Sequence, residues 1–220
     1  MENLGDLPIY AVGDKSSKKA VMVIYDTRTS PNTKQFCDVL AKHCGYLVVM
    51  PDWLRGKTIP EELWGDHNGI KAWLDKIGTY ELLAPSIQRV KEYLVSNGIE
   101  KTGIVGFCWG AKIAIELSGK DSYYSAASLI HPSWFTLEDA DAAQAPLLLI
   151  PAQNDPDLTE FMERLSKRPI GDKCKHVRFD DVQHGFAASL GNWKEGSLDR
   201  KRATEAIQLT LQFFDEHINV

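Results

Sequence analysis

Short apolar segments alternate with helical patterns along most of this chain, and several of the segments contain almost no polar residue. Strands that are apolar throughout are typical of a mainly parallel sheet buried on both faces. Strands are predicted over 20–26, 46–52, 101–107, 125–132, 146–152 and 175–181, and helices over 32–45, 84–98, 109–119, 157–167 and 199–216. This alternation predicts an α/β fold with a mainly parallel central sheet and helices on both of its faces.

The length of the chain limits how this sheet can be organised. The 220 residues suffice for one domain with a sizeable core and are few for two. We therefore expect a single domain over residues 1–220, with its core over about 20–217. Ligands of such folds bind beyond the carboxyl ends of the strands, so residues that follow predicted strands are the first functional candidates.

Charge and cysteine usage restrict the expected partners. The formal net charge of -5 and the pI of about 5.7 leave no basic stripe to bind nucleic acid. No run approaches the roughly 18 apolar residues that span a bilayer. The first residues, MENLGDLPIY, carry acids and no long apolar run follows them, so we do not expect them to act as a signal peptide. Cys37, Cys44, Cys108 and Cys174 lack the paired spacing of a redox or zinc motif.

From these properties we expect a cytoplasmic protein with reduced thiols. We expect no metal, no organic cofactor, no nucleic acid and no membrane among its partners. A monomer is the expected state, with a homodimer as the alternative. The partner that remains is a small-molecule substrate.

The most specific motif is Gly106-Phe107-Cys108-Trp109-Gly110, a G-x-C-x-G sequence between an apolar strand and a helix. It is the cysteine form of a nucleophile elbow, a tight turn that lifts the nucleophile out of the sheet. A Cβ at either glycine would crowd the strand or the helix. The sulfur also lies near the positive end of the following helix, which stabilises a thiolate. Cys108 is therefore predicted to be a nucleophile, and a buried structural cysteine is the alternative.

A nucleophilic thiol needs a base, and the base needs a group that orients it. In folds with this elbow the chain order is nucleophile, acid, histidine. His184 follows the strand predicted over 175–181, in the loop VQHGFAA, and is the predicted base. His131 ends an earlier strand and is a candidate for lining the cleft and binding substrate.

The orienting acid should follow the strand predicted over 146–152. Asp155 and Asp157 in AQNDPD both qualify. We favour Asp155 because it is nearer the strand and because Asp157 could cap the next helix.

Acyl transfer also requires backbone donors for the oxyanion that develops during attack. One is the N–H of the residue after the nucleophile, here Trp109. The second comes from the loop after an earlier strand, and Thr27 is the best candidate.

These motifs together resemble the dienelactone hydrolase family (carboxymethylenebutenolidase-like proteins), within the α/β-hydrolase superfamily. GFCWGAK resembles the family's G-x-C-x-G-G/A, AQND its G-x-x-D loop, VQHGFAA its H-G/A-F-A segment and PDWLRG its P-D-L/I segment. The segments IHPSW and HGFAA are similar to a eukaryotic branch. The resemblance covers about residues 20–217 and implies an α/β-hydrolase fold with Cys108, Asp155 and His184 as a catalytic triad.

The resemblance also implies roles for charged residues. Asp26 lies where the family carries an acid that modulates the thiol, and a turn-forming aspartate is the alternative. Members that cleave dienelactone hold the substrate carboxylate with arginines, one of them just beyond the catalytic histidine. In this chain residues 187–189 read Ala-Ala-Ser, so Arg28 and Arg55 are the candidate substitutes for binding substrate.

The tryptophans are candidates for the wall of an apolar pocket, and Trp53 directly follows a predicted strand. We therefore predict a hydrolase of small esters or lactones that acts through a Cys-His-Asp triad and an acyl-enzyme. The alternative is a non-catalytic ligand-binding or thiol redox-sensing protein on the same fold, because an exposed reactive thiol is also a target of oxidation.

Overall fold

The computed structural model describes residues 2–218. Its strands are β1 (Glu2–Leu4), β2 (Leu7–Gly13), β3 (Lys19–Ile24), β4 (Leu47–Pro51), β5 (Lys101–Phe107), β6 (Tyr124–Ile130), β7 (Leu147–Ile150) and β8 (Lys175–His176). Its helices are α1 (Pro31–Cys44), α2 (His67–Ile77), α3 (Tyr80–Ser96), α4 (Trp109–Lys120), α5 (Leu137–Ala142), α6 (Thr159–Ser166) and α7 (Leu198–His217).

The strands form one sheet in the order β1-β2-β4-β3-β5-β6-β7-β8. The six strands from β4 to β8 in this order are parallel, whereas β1 and β2 are antiparallel to their neighbours. The α/β prediction with a mainly parallel sheet is therefore confirmed. The carboxyl ends of β3, β5, β6 and β7 lie at one edge of the sheet. Candidate residues of the site come directly after these strands in the chain and therefore lie at that edge.

The central strands are buried on both faces, as their composition predicts. All five residues of β4 and all four of β7 are buried. Burial of a large aliphatic side chain contributes about 1.5–3 kcal/mol, so these strands supply much of the driving force for folding. They also form the rigid base from which the site's loops extend.

The sheet begins earlier than the expected core boundary near residue 20. In β2 the side chains of Leu7 and Ile9 are buried, while the residues between and after them are partly exposed. At the other edge, the strand predicted over 175–181 is reduced to Lys175–His176, followed by an isolated bridge between Phe179 and Ala152.

Helix α1 begins after Ser30, whose hydroxyl accepts the Thr33 N–H. The side chain of Asn32 is therefore free to leave the helix and donates to the carbonyls of Ala188 (2.9 Å) and Gly191 (2.8 Å). These bonds attach the loop that follows His184 to the start of α1. Among residues 2–218, no helix combines the length and the apolar character that crossing a membrane requires.

Candidate active site

The predicted elbow lies between β5 and α4. Cys108 has φ 53° and ψ -116°, a conformation that side-chain-bearing residues rarely adopt. A Cβ at Gly106 would lie 2.5 Å from the Gly110 carbonyl oxygen, and one at Gly110 would lie 2.2 Å from the Ile24 oxygen. Only glycine therefore fits at these two positions, and the turn places Cys108 at the start of α4.

His184 and Asp155 lie together at the same edge. His184 Nδ1 is 2.6 Å from Asp155 Oδ1, and the carboxylate is buried. Its second oxygen accepts the Ala152 N–H at 2.7 Å, while Asn154 Oδ1 accepts the His184 N–H at 2.6 Å. The carboxylate and the backbone of the histidine are therefore both held in place.

The neighbouring acid, Asp157, has a different environment. It is exposed, and it accepts hydrogen bonds from the backbone N–H (2.9 Å) and hydroxyl (2.7 Å) of Thr159 at the start of α6. Asp157 precedes the N-cap residue of α6, Leu158, and its side chain therefore makes a local turn with Thr159 instead of the helix cap that the sequence suggested. Asp155 is the acid of the two that contacts the histidine.

The environment of His184 favours the imidazolium ion. Burial alone would lower the pKa of His184, but hydrogen bonds to Asp155 and to the Cys108 sulfur, together with their charges, raise it to about 10. The sulfur and the carboxylate therefore both favour the protonated form of the ring. A histidine in this state can deliver a proton to a leaving group.

Among residues 2–218, no histidine pairs with any of the other three thiols. Burial raises the pKa of Cys37, of Cys44 and of Cys174. Because the thiolate is the reactive form, burial makes these three thiols poor nucleophiles.

Cys108 and His184 open into a chamber of about 250 Å³. Its polar wall includes Asp26 and Ser133. Its apolar wall is formed by Ile59, Trp64, Ile70, Trp134 and Leu190. Trp64 and Leu190 are 50% and 58% exposed and lie at the mouth. No lysine or arginine of the described chain lines the chamber.

Asp26 lines the chamber, but its hydrogen bonds go to groups other than the thiol. One oxygen accepts the N–H groups of Thr27 (2.6 Å) and Arg28 (3.2 Å). The other accepts the Ser189 N–H at 3.0 Å and the Ser189 hydroxyl. Across residues 2–218 no hydrogen bond joins Asp26 to Cys108, so its contacts resemble those of a turn-forming aspartate.

The predicted oxyanion donors differ in their availability. Trp109 is the first residue of α4, so its N–H has no partner within the helix. The Thr27 N–H is already bonded to Asp26 and would have to exchange that oxygen for a substrate oxygen.

Three residues predicted to bind substrate do not line this chamber in the described structure. Trp53 is buried and donates its indole N–H to the Val23 carbonyl at 3.0 Å, so it belongs to the core. Arg55 is held by Asp6 (2.8 Å) and Ser86 (3.1 Å), outside the chamber. His131 is fully buried behind His184, with ring centroids 4.9 Å apart.

The remaining candidate, Arg28, reaches the site indirectly. Its guanidinium lies 5.2 Å from the Trp64 ring, on a wall residue, and it does not itself line the chamber. It therefore stabilises the wall through a cation–π contact and is not placed to bind a substrate carboxylate there.

Sequence reasoning missed several residues of the chamber. Ser133 follows the carboxyl end of β6, so the rule that ligands bind at that edge could have found it. Ile59 and Ile70 come from a segment without a clear pattern, and nothing in the sequence indicates that it folds over Cys108. Trp64 and Trp134, by contrast, are two of the tryptophans that the sequence offered as candidates for an apolar wall, and both line the chamber. Among residues 2–218, no group of three or more histidine, cysteine or acidic residues is arranged to hold a metal ion.

Comparison with known proteins extends this description. The model of the dienelactone hydrolase family matches residues 7–218. An uncharacterized AIM2 family protein of Schizosaccharomyces pombe is 28% identical over 97% of this chain and 89% of its own length. The human carboxymethylenebutenolidase homolog is 30% identical over 76% of this chain and 70% of its own.

A solved structure shows the same fold at lower identity. The dienelactone hydrolase of Anabaena variabilis superposes with a TM-score of 0.67 at 16% identity, covering 97% of this chain and 93% of the other. The match to the family model, supported by the human relative and by this shared architecture, establishes that the chain belongs to the dienelactone hydrolase family and has the α/β-hydrolase fold.

Proposed function

We propose that this member of the dienelactone hydrolase family cleaves small esters or lactones with Cys108 as the nucleophile. The observation that carries the proposal is that Cys108, on a nucleophile elbow, and His184, whose Nδ1 is 2.6 Å from the Asp155 carboxylate, line the same chamber. A redox-sensing thiol needs no oriented histidine, so this arrangement favours a hydrolase over the alternative.

The first half-reaction follows from the paired charges. The Cys108 thiolate attacks the acyl carbon, and the Trp109 N–H stabilises the oxyanion that forms. The bond from the acyl carbon to the alcohol oxygen then breaks as His184 gives its proton to that oxygen. A thioester and a neutral histidine result, and in a lactone the alcohol remains part of the acyl group.

Water completes the cycle. Neutral His184 accepts a proton from water as the water oxygen attacks the thioester carbon. The carbon–sulfur bond breaks, the carboxylic acid leaves, and thiolate and imidazolium are restored. Asp155 keeps Nδ1 hydrogen-bonded, so that Nε2 faces the reacting atoms throughout.

A panel of neutral aryl esters and lactones tests the proposal. We expect the wild-type protein to hydrolyse at least one, and Cys108→Ala to fall to the background rate. Cys174→Ala is the matched control, because that thiol is half-buried against β7, and it should retain activity. Full activity in Cys108→Ala would exclude the proposed nucleophile, and inactivity of the wild type toward the whole panel would exclude the proposed function.

The charge of the chamber predicts a preference among substrates. Asp26 contributes a carboxylate to the wall, and no described lysine or arginine balances it. His184, the cation favoured at this site, is already engaged by Asp155, so a substrate carboxylate would lose hydration there without a lysine or arginine to pair with, which costs several kcal/mol. We expect kcat/KM for a neutral lactone to exceed that of its carboxylated analogue by tenfold or more, about 1.4 kcal/mol in transition-state binding.

The measurement is a matched pair of lactones that differ only in the carboxyl group. Raising the salt concentration is a control, since an effect of the buried carboxylate should persist where surface charges are screened. A tenfold preference for the charged lactone would show that a cation reaches the chamber during binding, and Arg28 would be the first residue to replace.

A further inference from the structure

Backbone strain is concentrated around the candidate site. Among residues 2–218, the non-glycine residues with positive φ are Arg55, Cys108, His131 and Trp134. Three of these four lie in the elbow or in the turn that follows β6. Such conformations destabilise a chain and persist only where the surroundings impose them, which is common at functional sites.

Ser133 lies between the two strained residues of that turn. Its N–H donates to the Cys108 carbonyl at 3.3 Å, and its Oγ lies 3.6 Å from Cys108 Sγ. The side chain is 6% exposed and lines the chamber. The strained turn therefore fixes one hydroxyl beside the sulfur.

The contacts of this hydroxyl distinguish it from the other buried serines. Ser118 Oγ donates to the Ile115 carbonyl at 2.8 Å, and Ser128 pairs with Thr210 at 2.8 Å. Within residues 2–218, the one hydrogen-bond partner of the Ser133 hydroxyl is the Cys108 sulfur. The remaining two buried serines also bond away from the chamber, since Ser30 caps α1 and Ser86 accepts a hydrogen bond from Arg55. Among the buried serines of the described chain, Ser133 is therefore the one whose hydroxyl contacts the candidate nucleophile.

We infer that Ser133 is a further catalytic residue, whose hydroxyl donates a hydrogen bond to the Cys108 thiolate. The inference rests on the proposed role of that thiolate. Together with the His184 ring and the start of α4, the hydroxyl gives the sulfur a third source of positive potential. It also fixes the direction in which the sulfur faces the chamber.

Loss of this hydrogen bond has two opposing effects on reactivity. The thiolate becomes harder to form, so the pH of half-maximal reactivity should rise by about 0.5–1 unit. The thiolate that does form is more basic, and its intrinsic reactivity should rise about two- to threefold. Ser133→Ala should therefore react more slowly than wild type at low pH and faster at high pH.

The experiment measures the rate at which iodoacetamide alkylates Cys108 from pH 5 to pH 10, read by mass spectrometry of the Cys108 peptide. The Ser133→Ala profile should cross that of the wild type. Ser133→Thr keeps the hydroxyl and should follow the wild type, as should Ser118→Ala, the control for loss of a buried serine. Circular dichroism confirms that each variant is folded.

Two outcomes would overturn the inference. One is a Ser133→Ala profile that superimposes on the wild type or is displaced by the same factor at every pH. The other is an equal shift in Ser133→Thr, because the hydroxyl would then not be the cause. Alkylation requires no ester substrate, so either result can be told apart from a failure of the proposed hydrolase function.

Discussion

Replacing His184 by alanine is expected to lower the turnover of an ester substrate by about 10³-fold or more, with the fold intact. The imidazole is the partner of the thiolate, the donor to the leaving alcohol and the acceptor from water. Removing it affects every proton transfer of the proposed cycle. The side chain is partly exposed at the chamber, so its loss creates no cavity in the core.

Asp155→Asn should reduce turnover by the same factor or less. The amide keeps the size of the carboxylate but removes the charge that helps to raise the pKa of His184. The histidine would then be a weaker proton acceptor and would be less firmly oriented.

Steady-state kinetics of these variants should be compared with Asp157→Asn. Asp157 has the same chemistry and is two residues away, but its carboxylate is exposed and bonds to Thr159 at the start of α6. It should therefore change kcat/KM little. If Asp157→Asn lowered kcat/KM strongly and Asp155→Asn lowered it only slightly, Asp157 and not Asp155 would be the acid that orients His184. If His184→Ala lost little turnover, His184 would not be the base of the proposed mechanism.

Gly110→Ala is expected to destabilise the protein by about 3 kcal/mol or more, because the added Cβ would meet backbone atoms. It would lie 2.2 Å from the Ile24 oxygen and 2.4 Å from the Tyr25 oxygen. These atoms end β3, which pairs with strands on both sides and cannot retreat. The clash must therefore be relieved by moving α4, and Cys108 with it.

Chemical denaturation of Gly110→Ala should be compared with Gly196→Ala. A Cβ at Gly196 meets no atom within 4 Å, although φ is +77° there. That control isolates the cost of a left-handed conformation, about 1–2 kcal/mol. Equal unfolding free energies for the two variants would mean that the close approach of α4 to β3 is not required.

The part of the fold that the sequence predicts best is the part with the strictest geometry. The end of β5 and the start of α4 coincide with the prediction, because glycines before and after Cys108 leave the chain one way to turn. The pairing of Asp155 with His184 could be predicted for a similar reason. Both residues follow parallel strands, whose ends must meet at one edge of the sheet.

The sequence offers tryptophans as candidates for the chamber wall by residue type alone, and their positions on it could not be predicted because the wall residues carry no periodic signal. Trp64 and Leu190 are exposed apolar side chains in irregular segments, and only the tertiary fold brings them to the mouth. The positions of Trp53 and Arg55 outside the chamber could not be predicted for the same reason. Each follows β4 closely, but the chain turns there so that the indole enters the core and the guanidinium reaches Asp6.

The bonds that hold the loop after His184 have a consequence for how the protein acquires its activity. Asn32 reaches Ala188 across 156 positions of the chain, and Asp26 reaches Ser189 across 163. The elbow, by contrast, joins the consecutive elements β5 and α4. Contacts between distant positions form late because the intervening chain must first be ordered. We therefore expect the loop that carries His184 to dock late in folding, so that recovery of hydrolysis during refolding should lag behind recovery of secondary structure.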